Sequence, residues 1–106
     1  MKRGDLVTVA VSGDYGKPRP ALVVQADAFD QHPSVIVLPL TSEIYDAPLF
    51  RVTVGAGEET GLRILSQIMV DKATTVPRVK LGARIGQVDE VIMQAVKEAL
   101  RGFLGL

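Results

Sequence analysis

At 106 residues, 47% of them hydrophobic, the chain has room for one hydrophobic core; twelve basic and twelve acidic side chains cancel, so it lacks the basic surplus common in nucleic-acid binders. The absence of cysteine excludes disulfides, thiolate nucleophiles and cysteine-ligated metal centres, and a lone histidine, His32, excludes a histidine-rich metal site within one chain. No apolar run approaches the ~20 residues of a membrane span, and Met1-Lys2-Arg3-Gly4-Asp5 lacks the apolar core of a signal peptide, so the expected location is the cytoplasm, away from any membrane.

The first two-thirds read as short strands separated by turn residues. Leu6 to Val11 is apolar and β-branched, with Val7, Val9 and Val11 on one face. A polar, glycine-rich loop follows, Ser12-Gly13-Asp14-Tyr15-Gly16-Lys17-Pro18. Ala21-Leu22-Val23-Val24 and Val35-Ile36-Val37-Leu38 are continuous apolar runs, the pattern of strands buried on both faces. Phe50 to Val54 alternates, Arg63 to Val70 is apolar except at Ser66-Gln67, and Thr74 to Val76 is closed by Pro77. Pro77 to Arg84 carries three basic residues and reads as solvated surface.

The period then changes. Ile92, Ala95, Val96, Ala99, Leu100 and Phe103 recur at helical spacing, with Asp89 as N-cap and Val88 and Met93 as a staple around it. Gly102 and Gly105 should weaken the far end. Strands followed by one amphipathic helix, with no repeat or linker, predict a single domain over 1–106: a small, strongly curved β-barrel with the helix packed on it.

The most informative segment for chemistry is Gly16-Lys17-Pro18-Arg19-Pro20-Ala21-Leu22-Val23-Val24. Two prolines bracket Arg19, and Pro20 biases Arg19 towards an extended backbone. An arginine so held presents a planar fork suited to phosphate, although a surface arginine in a proline turn is the plain alternative. Val35 to Thr41-Ser42 is an apolar strand ending in two hydroxyls. Capping of the strand end explains them; beside Arg19 they would form a donor cluster for phosphate oxygens.

Taken together, Gly4-Asp5 before the first strand, Lys-Pro-Arg-Pro-Ala-Leu-Val-Val, the strand ending Pro-Leu-Thr-Ser, Gln67 to Lys72, Thr75-Val76-Pro77 and the final helix resemble the MazF/PemK toxins over nearly the whole chain. The resemblance implies an SH3-like barrel that forms a homodimer. It also implies a cofactor-free endoribonuclease that cleaves single-stranded RNA without metal and is silenced by a cognate antitoxin. In that chemistry a ribose 2′-OH attacks the adjacent phosphate, leaving a 2′,3′-cyclic phosphate and a 5′-OH end.

By position, Arg19 matches the catalytic arginine and Thr41 the threonine at the scissile phosphate, with Ser42 beside it. Asp71 matches an acidic residue used as a base or for base recognition; its alternative is a turn carboxylate. Tyr15 and Lys17 are candidates for stacking and phosphate contact. Gln67 is a candidate reader of a base edge, or else an exposed strand amide. As a residue type arginine is a poor proton donor at neutral pH, so Arg19 is assigned electrostatic stabilisation first. Some family members carry a further arginine where this chain has Met69, which leaves the general acid open and also admits a non-catalytic binding module.

A rival within the same fold is the gyrase-poisoning CcdB-type toxin, whose carboxy-terminal end resembles Phe103-Leu104-Gly105-Leu106. The tryptophan of that toxin is absent here, Leu104 standing in its place.

Overall fold

The computed structural model describes residues 1–10 and 17–106; the Val11 end of the first expected strand, and Tyr15, lie outside the described residues. The described residues form seven strands and one α-helix: β1 (Asp5–Ala10), β2 (Pro18–Val23), β3 (Ser34–Thr41), β4 (Arg51–Val54), β5 (Ser66–Met69), β6 (Thr74–Pro77), β7 (Leu81–Gln87) and α1 (Glu90–Leu104). The strands are hydrogen-bonded in the order β4-β5-β3-β2-β1-β7, all antiparallel, with β6 also against β3.

β3 is the spine. One edge pairs with β2 from Ala21↔Pro39 to Val23↔Val37. Its other edge pairs first with β6, at Ile36↔Thr75 and Val37↔Thr74, then with β5, at Leu40↔Ile68 and Thr41↔Gln67. β5 and β6 therefore act as one strand interrupted by the 3-10 turn Val70–Lys72, where Val70 is buried and Asp71 half-buried.

Because side chains alternate across a strand, the continuous apolar runs fill two cores. Leu6, Leu22, Val24, Leu38, Leu40 and Ile68 join Met93 and Val96 of α1 in one cluster. Val7, Val9, Ala21, Val23, Val35, Val37 and Val76 form a second on the opposite face. Each valine, leucine or isoleucine among them, where fully buried, stabilises the fold by roughly 1.5–3 kcal/mol before the entropy of ordering is subtracted. Ile36 departs from the expectation: it faces the first cluster's side of the sheet but remains exposed.

Three expected elements change. Arg63 to Leu65 is exposed and lies outside β5, whose four residues begin at Ser66. Phe50 precedes β4 and packs against the first core. The stretch from Leu81, read as solvated surface, is a strand. β7 escaped notice because Leu-Gly-Ala-Arg-Ile-Gly-Gln has no apolar alternation and buries few side chains; its backbone pairing to β1 holds it.

The expected barrel is a strongly curved sheet whose ladder does not close, since β4 and β7 are its two ends. The loop after β4 spans the gap. Gln87 donates its N–H to the Glu59 carbonyl at 2.9 Å, and a Cβ on Gly86 would lie 2.3 Å from Thr60 backbone atoms. Gly61, at φ 71°, packs as tightly against the Ile85 carbonyl. Glycine at 86 and 61 thus lets backbone meet backbone where strand pairing stops.

Asp89 caps α1 as expected: its Oδ1 accepts the Ile92 N–H at 2.8 Å, and Val88 and Met93 are both buried in the first core. Met93 and Val96 are the buried centre of the helix face, flanked by Ile92, Ala99 and Leu100, whereas Ala95 and Phe103 are exposed. The helix runs through Gly102, and Gly105, at φ 70°, terminates it by donating its N–H to the Arg101 carbonyl. Asp89→Ala should cost about 1 kcal/mol. A thermal melt should show this as a midpoint lowered by about 4–8 °C; an unchanged midpoint would deny the cap its role.

Candidate active site

The β2–β3 ladder stops at Ala21↔Pro39, since Pro20 has no N–H to extend it. Two residues further along each strand stand Arg19 and Thr41, at the same end of neighbouring strands. Arg19 is exposed and opposite Val9 on its other side. The row continues: Thr41 pairs with Gln67 of β5, and Gln67 with Thr53 of β4. Residues opposed across a ladder point to one face, so this row is polar while the adjoining row of Leu40, Ile68 and Val52 faces the core. Arg19 and Thr41, far apart in sequence, thereby stand at the same end of adjoining strands.

Thr41 Oγ1 accepts the N–H of Glu43 at 3.1 Å, which is the capping role open to it from residue type. That bond uses a lone pair and leaves the O–H hydrogen to be donated elsewhere. Ser42 and Lys17 are exposed near the two strand ends. His32 belongs to a distant loop, where its Nδ1 accepts the Ser34 N–H.

Gln67 is not the exposed amide expected from its neighbours. Only 3% exposed, it accepts the Tyr45 N–H through Oε1 at 3.0 Å and donates through Nε2 to the Tyr45 carbonyl at 2.8 Å and to Thr53 Oγ1 at 3.4 Å. Both backbone polar groups of Tyr45 are therefore held by one buried side chain. Gln67→Leu would leave the Tyr45 N–H without its partner, while the Tyr45 carbonyl keeps the Ala47 N–H at 3.1 Å, and should destabilise the fold by about 1–3 kcal/mol. Amide exchange at Tyr45 should accelerate with it; unchanged exchange would show that Gln67 does not fix this loop.

Asp71 has a partner that the sequence reading missed. Arg51 Nε lies 3.0 Å from Asp71 Oδ1, with a second bond from Nη2 to Oδ2 at 3.4 Å. The side chains of Arg51 and Asp71 are only 9% and 17% exposed, so the pair is sheltered from the solvent that weakens surface ion pairs. The guanidinium carbon also lies 5.5 Å from the Tyr45 ring centre and 5.8 Å from that of Phe50. Arg51 stands directly opposite Met69 across the β4–β5 ladder. The alternation of Phe-Arg-Val-Thr-Val signals that Arg51 and Thr53 share the outer face, but the pairing with Asp71 depends on a register that no local pattern supplies.

The site is thus a polar band across one end of the sheet, with an exposed arginine, strand-end hydroxyls and a carboxylate orientated by a second arginine. Such a band suits an anionic, extended ligand.

A sequence model of the PemK-like, MazF-like toxins of type II toxin–antitoxin systems matches residues 2–104. The chain is 47% identical to the probable endoribonuclease MazF of Mycolicibacterium smegmatis, across 100% of this chain and 98% of that one. It is 30% identical to endoribonuclease EndoA of Bacillus subtilis, across 100% and 96%. The structure of the Mycobacterium tuberculosis toxin MazF-mt6 superposes with a TM-score of 0.83 at 25% identity, covering 96% of this chain and 97% of that one. The match along almost the whole chain, together with the full-length relatives, shows that this chain belongs to the PemK-like, MazF-like toxins of type II toxin–antitoxin systems.

Proposed function

We infer that this toxin is an endoribonuclease that cleaves single-stranded RNA without a metal ion, acts in the cytoplasm and is silenced by its cognate antitoxin. The observation that carries the reading is the placement of Arg19 and Thr41 at one end of adjoining strands, on the face that also holds Arg51 and Asp71. The full-length relatives named as endoribonucleases support it.

In the proposed reaction the 2′-oxygen attacks the adjacent phosphorus, the bond from phosphorus to the 5′-oxygen breaks, and a proton is returned to that oxygen. The products are a 2′,3′-cyclic phosphate and a 5′-OH. Negative charge grows on the phosphoryl oxygens, where Arg19 and the Thr41 hydroxyl stabilise the transition state more than the ground state. Asp71 is the candidate acceptor of the 2′-OH proton, and its two bonds from Arg51 fix its orientation. Lys17 and Ser42, and Tyr15 beyond the described residues, are assigned to RNA contact. Gln67 acts through the loop it holds.

The whole chain, 1–106, works as one toxin domain, and two copies form a homodimer. Exposed Val91, Leu49 and Phe103 supply an apolar surface of the kind protein partners cover, and a monomeric mass by light scattering would remove the dimer. The antitoxin is read as a largely disordered segment that folds across the Arg19 region. A complex leaving Arg19 open to RNA would contradict that mode of inhibition.

Paired assays test the function. Purified toxin should degrade RNA and leave DNA supercoiling by gyrase unaffected. Intact RNA with inhibited gyrase would transfer the case to the gyrase-binding reading.

A further inference from the structure

Tyr45 lies in the loop between β3 and β4, outside every role assigned above. It is 56% exposed, yet it is held from several directions. Gln67 binds its N–H and its carbonyl, the Arg51 guanidinium lies over its ring, and its hydroxyl donates to Glu43 Oε2 at 3.1 Å. Exposed aromatic side chains normally move among rotamers, and ordering one on binding opposes affinity. Here that ordering is already present in the free protein.

The restraints also place the ring beside the site. Gln67 is the direct cross-strand neighbour of Thr41, and Arg51 is the partner of Asp71. Tyr45 is therefore tied to Thr41 and to Asp71, two members of the polar band, through one residue each. A pre-ordered aromatic side chain next to a phosphate-binding row is the arrangement that receives an unpaired base while the backbone is held alongside.

Building on the ribonuclease reading, we propose that Tyr45 is a specificity-determining residue: its ring stacks on a base flanking the cleaved phosphate, and Gln67 and Arg51 are positioning residues that hold the ring for that contact. Stacking needs the π-face and not the hydroxyl. Tyr45→Phe should therefore retain wild-type cleavage within about threefold, whereas Tyr45→Leu, of apolar bulk but without a ring, should lose on the order of 10- to 100-fold in kcat/KM. The loss should differ between cleavage sites, because bases stack unequally, and so change the base preference beside the cut.

The experiment is digestion of one long mixed-sequence RNA by the wild-type, Tyr45→Phe and Tyr45→Leu proteins, with fragment ends mapped and a thermal melt for each. Selective loss in folded Tyr45→Leu, with Tyr45→Phe active, is the expected result. If wild type cleaves and folded Tyr45→Leu cuts the same sites at the same rates, the proposal is overturned while the ribonuclease reading stands. If Tyr45→Phe loses activity as severely as Tyr45→Leu, the hydroxyl matters and stacking is overturned. An inactive wild type instead rejects the ribonuclease reading on which the proposal rests.

Discussion

In an Arg19→Ala protein, RNA cleavage should fall by at least 10²–10³-fold in kcat, about what removal of one transition-state donor costs an enzyme of this type. The side chain is exposed at the start of β2, so stability should change by less than about 1 kcal/mol. Thermal melting would establish the fold and single-turnover cleavage would measure the loss. Arg19→Lys keeps the charge but replaces a planar, two-pronged donor by a point charge, so it should recover only part of the rate. Wild-type cleavage by a folded Arg19→Ala protein would remove the central assignment.

The second large effect concerns stability. Gly86→Ala should destabilise the fold by about 3 kcal/mol, the upper range for overpacking, because the new Cβ would meet backbone and not a movable side chain. For a domain of this size the melting midpoint should fall by 10 °C or more, at about 4–8 °C per kcal/mol. The contact joins the loop after β4 to β7, the two ends of the sheet, so loosening it frees the curvature of the whole sheet. A Gly86→Ala melt matching wild type would show that this loop does not hold the ends together.

What could be read from the sequence follows from how local each cause is. Asp89 and Val88 announce the start of α1 within a few residues, so cap and staple were legible. The Val-rich and Leu-rich runs of β2 and β3 declare two-sided burial in their own composition. β7 was hidden because its stability lies in backbone pairing to a strand more than seventy residues away, which leaves almost no apolar signature. At the site, Arg19 and Thr41 stand out through their prolines and strand ends. Gln67 was misread as exposed because its burial depends on a loop folding back over it from residue 45. Arg51 was missed because only the β4–β5 register brings it to Asp71.

The first measurement to make is incubation of the purified, antitoxin-free protein with a long mixed-sequence RNA in excess EDTA, followed by chemical analysis of the fragment ends. Discrete cuts bearing 5′-OH and 2′,3′-cyclic phosphate ends are the predicted result. Intact RNA from demonstrably folded protein, or cuts that leave 5′-phosphate ends, would contradict the account.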